Sequence, residues 1–182
     1  MFADFGVSEE ARNVVASSCD SIIDMKGFSE RGWFKKPQAM IQASKIASKI
    51  CWIDTDCHVL ANISGIFDYV QPNKLAMVED KPWSKRRGET WHNSGVVAFQ
   101  DRPPILDTWA EAVRNNPTVG DQEVLHLIVR EQLNRQIYIT DLPQEYNWLR
   151  IMLTDGLDSP RKKIMHWTGP KGKETIRGLI NG

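Results

Sequence analysis

The stretch Lys49-Ile-Cys-Trp-Ile-Asp-Thr-Asp-Cys-His-Val-Leu60 decides how the rest of the chain is read. Its apolar run, Ile50 to Ile53, stops at Asp54, and a second aspartate follows at Asp56. A short run without polar alternation predicts a strand over 50–53, apolar on both faces, as in the middle of a sheet covered by helices. Ligands of open α/β sheets gather beyond the carboxyl ends of the strands. Two carboxylates at such an end are candidates for a divalent cation, Mn²⁺ or Mg²⁺, that keeps positions open for phosphate oxygens. Aspartate also favours turns, so a plain strand-end turn is the competing reading.

On either side, helices and strands alternate. Ser8 is placed to cap a helix running to Cys19, with Glu9 and Glu10 in its first turn. A strand is expected over 20–24, then a loop from Met25 to Lys36, then a helix over 38–49 led in by Pro37. After the decisive stretch come a short helix or turn over 62–70, a strand over 75–78 and a polar, turn-like segment over 81–89. A strand over 95–99, helices over 105–114 and 121–133, a strand over 136–140, a loop over 143–149 and a strand over 163–167 complete the pattern. Such alternation predicts a layered α/β domain.

The chain has 182 residues, 41% of them hydrophobic, which fits one globular domain with a real core. No run approaches the roughly 18 apolar residues of a membrane span, and the N-terminus lacks the basic start and apolar centre of a signal peptide. Three cysteines cannot build a disulfide framework, so the cytoplasm is the expected compartment. Lys+Arg and Asp+Glu are equal at 23 each, which argues against a general nucleic-acid binder. The charge is nonetheless uneven. Acids predominate in residues 1–30, whereas residues 161–182 carry six Lys or Arg against Glu174 alone. That basic segment either faces a phosphate or is a solvated tail.

Five further groups carry possible chemistry. His166 can complete a Mn²⁺ site with carboxylates, or be structural. In Gly169-Pro-Lys-Gly-Lys173, glycine lets backbone approach a phosphate and lysine supplies charge, unless this is only a surface loop. Asn93 and Ser94 precede an apolar strand, where they can bond a hydroxylated ligand or simply form a turn. Asp121-Gln122 opens a helix, where Asp121 also serves as a first-turn acid. Lys35 and Lys36 precede a helix and can meet a phosphate, an acceptor or only solvent. Among the seven tryptophans, Trp52 and Trp109 are expected in the core; Trp33, Trp83, Trp91 and Trp167 are better placed to face a ligand.

The order of these parts is more specific than any one of them. An apolar strand ending in Asp-x-Asp, then Asn93-Ser-Gly-Val-Val-Ala-Phe99, then Asp121-Gln122, then His166-x-x-Gly169 with lysines resembles the GT-A glycosyltransferases, closest to the family-8 retaining group. The resemblance runs from about Asp4 to about Lys173. It implies a three-layer α/β GT-A fold with a mixed central sheet, as one domain over 1–182. Residues 1–60 would be the remnant of the nucleotide-binding half; residues 61–182 would form the acceptor side and the basic segment. It implies transfer of a sugar from a nucleotide-diphospho-sugar to a glycan or other hydroxyl acceptor, with retention. Asp54, Asp56 and His166 would hold the Mn²⁺ or Mg²⁺. Asp54, Gly169 and Lys171 or Lys173 would meet the nucleotide diphosphate, and Asn93, Asp121 and Gln122 would line the reacting sugar.

Two departures stand out. Where the family carries its last lysine this chain has Gly172, flanked by Lys171 and Lys173. The matching pattern also begins at the family's second strand, with only 53 residues before Asp54. The expectation is therefore an N-terminally shortened fold with impaired base recognition and an open sheet edge, through which two copies could pair. A catalytically inactive GT-A-like protein is the alternative function. A haloacid-dehalogenase-like phosphatase is a further one, although Cys57-His58 stands where that family has Gly-Thr.

Overall fold

The computed structural model describes residues 1–116 and 118–181. The chain opens with a small parallel unit: strand β1 (Phe2–Asp4), helix α1 (Glu9–Ala16) and strand β2 (Ile22–Asp24), with β1 and β2 paired from Phe2↔Ile22 to Asp4↔Asp24. The Ser8 hydroxyl accepts from the Ala11 N–H at 3.2 Å, as its N-cap position predicts, but the helix ends at Ala16 rather than Cys19. Asp4 is buried and accepts from the N–H groups of Gly6 (2.8 Å) and Val7 (3.0 Å) and from Arg12 (3.1 Å). The Gly6 N–H above all, helped by Val7, Lys26 and Arg12, holds its carboxyl below the ordinary range despite burial.

A 3-10 turn (Gly32–Lys35) leads directly into α2 (Lys36–Ser44), which starts and ends earlier than the expected 38–49. The main sheet then assembles from β3 (Lys49–Ile53), β5 (Leu75–Glu79), β6 (His92–Gln100) and β7 (Ile139–Asp141) in the order β3-β6-β5-β7. β6 is antiparallel to both β3 and β5, whereas β5 and β7 are parallel, so the sheet is mixed. A second sheet has the order β4-β9-β8, from β4 (Cys57–Val59), β8 (Trp148–Leu149) and β9 (Ile164–His166).

The period of two along the central strands separates two cores. Leu75, Met77, Val97 and Phe99 face α2, α4 (Ile105–Asn115) and α5 (Asp121–Val129), where they pack with Met40, Leu106 and Trp109. Ala76, Val78, Val96 and Ala98 face the opposite side and pack with Ile66, Tyr146 and Ile164 beneath the second sheet. Helices, main sheet and second sheet make the three layers that the sequence implies.

Several local expectations are revised. β3 is an edge strand rather than a central one: among the described residues it pairs with β6 alone, and β1 with β2 alone. The polar 81–89 segment is helical over α3 (Lys81–Arg87), because Asp80 accepts from the Trp83 N–H at 3.1 Å and Gly88 ends it in the left-handed region at φ 71°. The expected 121–133 helix is two, α5 and α6 (Gln132–Tyr138), with Glu131 extended between them. The latter covers most of the expected 136–140 strand. After α7 (Arg150–Thr154) and β9, the lysine-bearing segment is the start of α8 (Gly169–Asn181), not a loop. Among the described residues no helix is long and apolar enough to cross a membrane.

Candidate active site

The carboxyl end of β3 opens onto a cleft of about 860 Å³. Asp54, the first residue past β3, stays in the ladder by donating its N–H to the Gly95 carbonyl at 2.8 Å. Its side chain accepts from the Trp52 indole at 2.6 Å and from the Lys36 ammonium at 3.0 Å. Lys36 begins α2, and the direction of that helix sends its side chain under the sheet rather than into water. There the ammonium also meets the Asp121 carboxylate at 3.1 Å, the Ser94 hydroxyl at 3.1 Å and the Ser94 carbonyl at 3.2 Å. Burial opposes the charge on Lys36, but the carboxylates of Asp54 and Asp121 outweigh it and hold the ammonium above the ordinary lysine value.

The same junction fixes the start of α5. The Ser94 hydroxyl donates to Asp121 at 2.9 Å, the Ser94 N–H donates to the Gln122 carboxamide oxygen at 3.2 Å, and the Trp109 indole donates to the Asp121 carbonyl at 2.9 Å. Asp121 is therefore more than a first-turn acid. It is half of a lysine-bridged pair with Asp54, and the carboxamide oxygen of Gln122 is held beside it.

Asp56 turns the other way. Its carboxylate lies 3.2 Å from His166 Nε2. The imidazole is buried, and its Nδ1 sits 3.1 Å from the Asn147 side-chain oxygen. Asn147 donates through Nδ2 to the Asn93 oxygen at 2.9 Å, which also accepts the Gly95 N–H at 2.9 Å. Asn93 in turn donates to Asp80 at 3.1 Å. A buried polar chain thus runs from Asp80 through Asn93 and Asn147 to His166. Gly95 is required at its centre, because a Cβ there would overlap the His166 ring. Burial works to raise the Asp56 carboxyl, but His166, with Lys173 more weakly, holds it below the ordinary range.

The atoms best grouped for a cation belong to Asp56, Cys57 and His166, whose ligand atoms lie within 4.8 Å of one another. Asp54 is not of that group; Lys36 and Trp52 engage it instead. Asp54, Asp56, Asn93, Asp121, Gln122 and His166 all line the cleft, and so do Gly169 and Lys173. Lys171 is exposed and is not on the cleft wall. Gly172, the departure from the expected lysine, is buried against the backbone of Trp167, where a Cβ would overlap the Trp167 carbonyl.

Sequence reading passed over Asp80 and Asn147, and it left Lys36 undecided between ligand and solvent. Trp52, expected in the core, packs against the main core at its margin and also lines the cleft, stacking on Phe5 at 6.1 Å between centroids. Trp33 and Trp83 line it too, whereas Trp91 is buried face to face against His126 at 3.6 Å.

No protein-family model matches the sequence, and no curated protein matches it. Solved structures do. An active-site mutant of LgtC superposes with a TM-score of 0.66 at 16% identity, covering 97% of this chain and 82% of that one. The galactosyltransferase LgtC in complex with donor and acceptor sugar analogues gives 0.59 at 15% identity, covering 91% and 74%. A glycosyltransferase involved in glycosylating the major capsid of PBCV-1 gives 0.65 at 15% identity, covering 97% and 96%. This chain has the GT-A fold. The mixed-sheet α/β architecture is the one that the order of sequence motifs implied.

Proposed function

We propose that the chain is a metal-dependent glycosyltransferase that moves a sugar from a nucleotide-diphospho-sugar to an acceptor hydroxyl, with retention. The observation that carries this is the Asp56–His166 contact at the rim of the cleft. With His166 Nδ1–H donated to Asn147, Nε2 faces the Asp56 carboxylate. It does so either as a second N–H or, when bare, as one acceptor facing another. As an N–H donor it simply pairs with the carboxylate; as a bare nitrogen it offers a second ligand atom beside the Asp56 oxygen, and in that state Asp56 and His166 fit a divalent ion, with Asn147 as the partner that orients the imidazole. Such an ion, Mn²⁺ in this reading, supplies Lewis-acid stabilisation to the departing diphosphate.

The other residues bind and orient. Lys173 adds positive charge on the same wall as Asp56. Gln122 keeps its NH₂ free to donate to a sugar oxygen because its carbonyl oxygen is occupied by Ser94. Lys36 fixes Asp54 and Asp121, so that neither carboxylate swings when substrate enters. In the retaining course the leaving phosphate takes the acceptor proton, which removes the need for a separate base. Because Asp54 is engaged by Lys36 and Trp52 in a GT-A fold, the phosphatase reading is not carried forward.

Calorimetry with Mn²⁺ and a panel of UDP- and GDP-sugars tests the proposal. Cation-dependent binding with slow donor hydrolysis is expected. Absence of any donor binding overturns the enzyme reading in favour of an inactive GT-A-like binding protein. Because β1 and β3 each have an unpaired edge among the described residues, pairing of two copies through such an edge is also part of this reading; a purely monomeric mass by light scattering at micromolar concentration rejects it.

A further inference from the structure

Cys57 has no role in the reading above and is not on the cleft wall, yet the fold sets it beside Asp56 and His166. It stands opposite His166 in the antiparallel β4–β9 ladder, with register Cys57↔His166. Directly opposed residues project to the same face of a sheet, with their Cβ atoms about 5 Å apart. Asp56 immediately precedes it, and the Trp167 N–H donates to the Asp56 carbonyl at 2.9 Å, which continues the ladder by one step. Two adjacent strands therefore present carboxylate, thiol and imidazole together, all within 4.8 Å of one another. The thiol packs against the core beneath the second sheet, and burial, with the Asp54 and Asp56 carboxylates, pushes its pKa up, so it is a neutral thiol until a cation displaces the proton. Its one hydrogen-bond contact is a long one, 3.9 Å to the Gly95 carbonyl, and it is a free cysteine.

We infer that Cys57 is the third protein ligand of the cation site, giving an oxygen–nitrogen–sulfur set with Asp56 and His166. The inference rests on the cation-site reading above and specifies which ions the site prefers. Three ligands of this kind with a fourth position open match the tetrahedral chemistry of Zn²⁺, and a thiolate favours it over Mn²⁺ or Mg²⁺. As the ion binds, the Cys57 S–H bond breaks, the proton passes to solvent water, and a metal–sulfur bond takes its place. No oxidation occurs. The site then holds thiophilic ions more tightly than a site of carboxylates and imidazole alone, and the open position remains for a phosphate oxygen.

The test uses Co²⁺, whose sulfur-to-metal charge-transfer band in the near ultraviolet reports a bound thiolate directly, with calorimetry in parallel. The whole chain should develop that band on Co²⁺ addition and lose it in Cys57→Ser and Cys57→Ala; Cys51→Ser should keep it. Zn²⁺ affinity should fall in Cys57→Ser by at least the ~10–100-fold that losing even an outer-shell partner costs, while Mn²⁺ affinity changes little. If Co²⁺ binds calorimetrically without the sulfur band, or the band survives in Cys57→Ser, the inference is overturned while the cation-site reading stands. If neither Co²⁺ nor Mn²⁺ binds the parent chain, both are overturned.

Discussion

The Lys36 ammonium lies 3.1 Å from the Asp121 carboxylate, and Asp54 approaches the same nitrogen at 3.0 Å. One buried cation thus joins the end of β3 to the start of α5. Replacing it by the similarly shaped methionine leaves two carboxylates facing each other without compensation. Lys36→Met should lose roughly 3–5 kcal/mol of stability, the usual cost of removing one partner of a buried ion pair, measured by urea unfolding. Because the Lys36 pKa is raised, its contribution is complete at neutral pH and is lost only as pH rises through that raised value.

Asn147 is wholly buried and reaches no ligand itself, so its effect runs through His166. Asn147→Ala should weaken Mn²⁺ binding about 10–100-fold, as loss of an outer-shell partner does, read by calorimetry without any nucleotide. Unchanged affinity would show that the imidazole needs no such support.

Asp56 belongs to no buried core cluster, and its carboxylate contributes little to packing. Asp56→Ala should abolish cation-dependent donor binding and leave the far-ultraviolet circular dichroism and the melting temperature within a few degrees of the parent. Equal Mn²⁺ affinity in variant and parent would remove Asp56 from the site.

At Gly95 a methyl group would occupy the space of the His166 ring. Gly95→Ala should cost about 1–3 kcal/mol, typical of overpacking, and should also displace the imidazole, so that metal binding falls more than stability does. A variant that binds Mn²⁺ like the parent would mean that the ring relocates freely.

Asp4 tests the N-terminal unit. Its carboxyl is held below the ordinary range chiefly by the Gly6 N–H. The stability it contributes is therefore present above the ordinary aspartate pKa and is lost as pH falls through its lowered value. Asp4→Asn should flatten the acid limb of the stability profile, measured by denaturant unfolding at stepped pH.

Much of this was legible in the sequence for identifiable reasons. The two-sided apolarity of 75–78 and 95–99 marks strands between two cores; the first lies where expected, whereas the second begins at His92, so that Asn93 and Ser94 stand within it rather than before it. Ser8, Asp121 and Pro37 announced helix starts. The signals for α3 and α8 were also present: Asp80 before Pro82 with Gly88 beyond, and Gly169 followed by Pro170. The charge of the intervening residues obscured them. What could not be read is what depends on distant chain segments. Lys36 looks like any exposed lysine until α2 is docked beneath β3, and Asn147 lies in a segment whose composition says only loop. The edge position of β3 was hidden for a related reason: its outer side faces the cleft and Phe5, so apolar residues are retained there without a neighbouring strand.

The amide chain from Asp80 to His166 crosses the floor beneath both walls of the cavity. Asn93 is tied at once to Asp80, the Gly95 N–H and Asn147, so flipping either amide would break several bonds together, and the imidazole is thereby kept in one orientation.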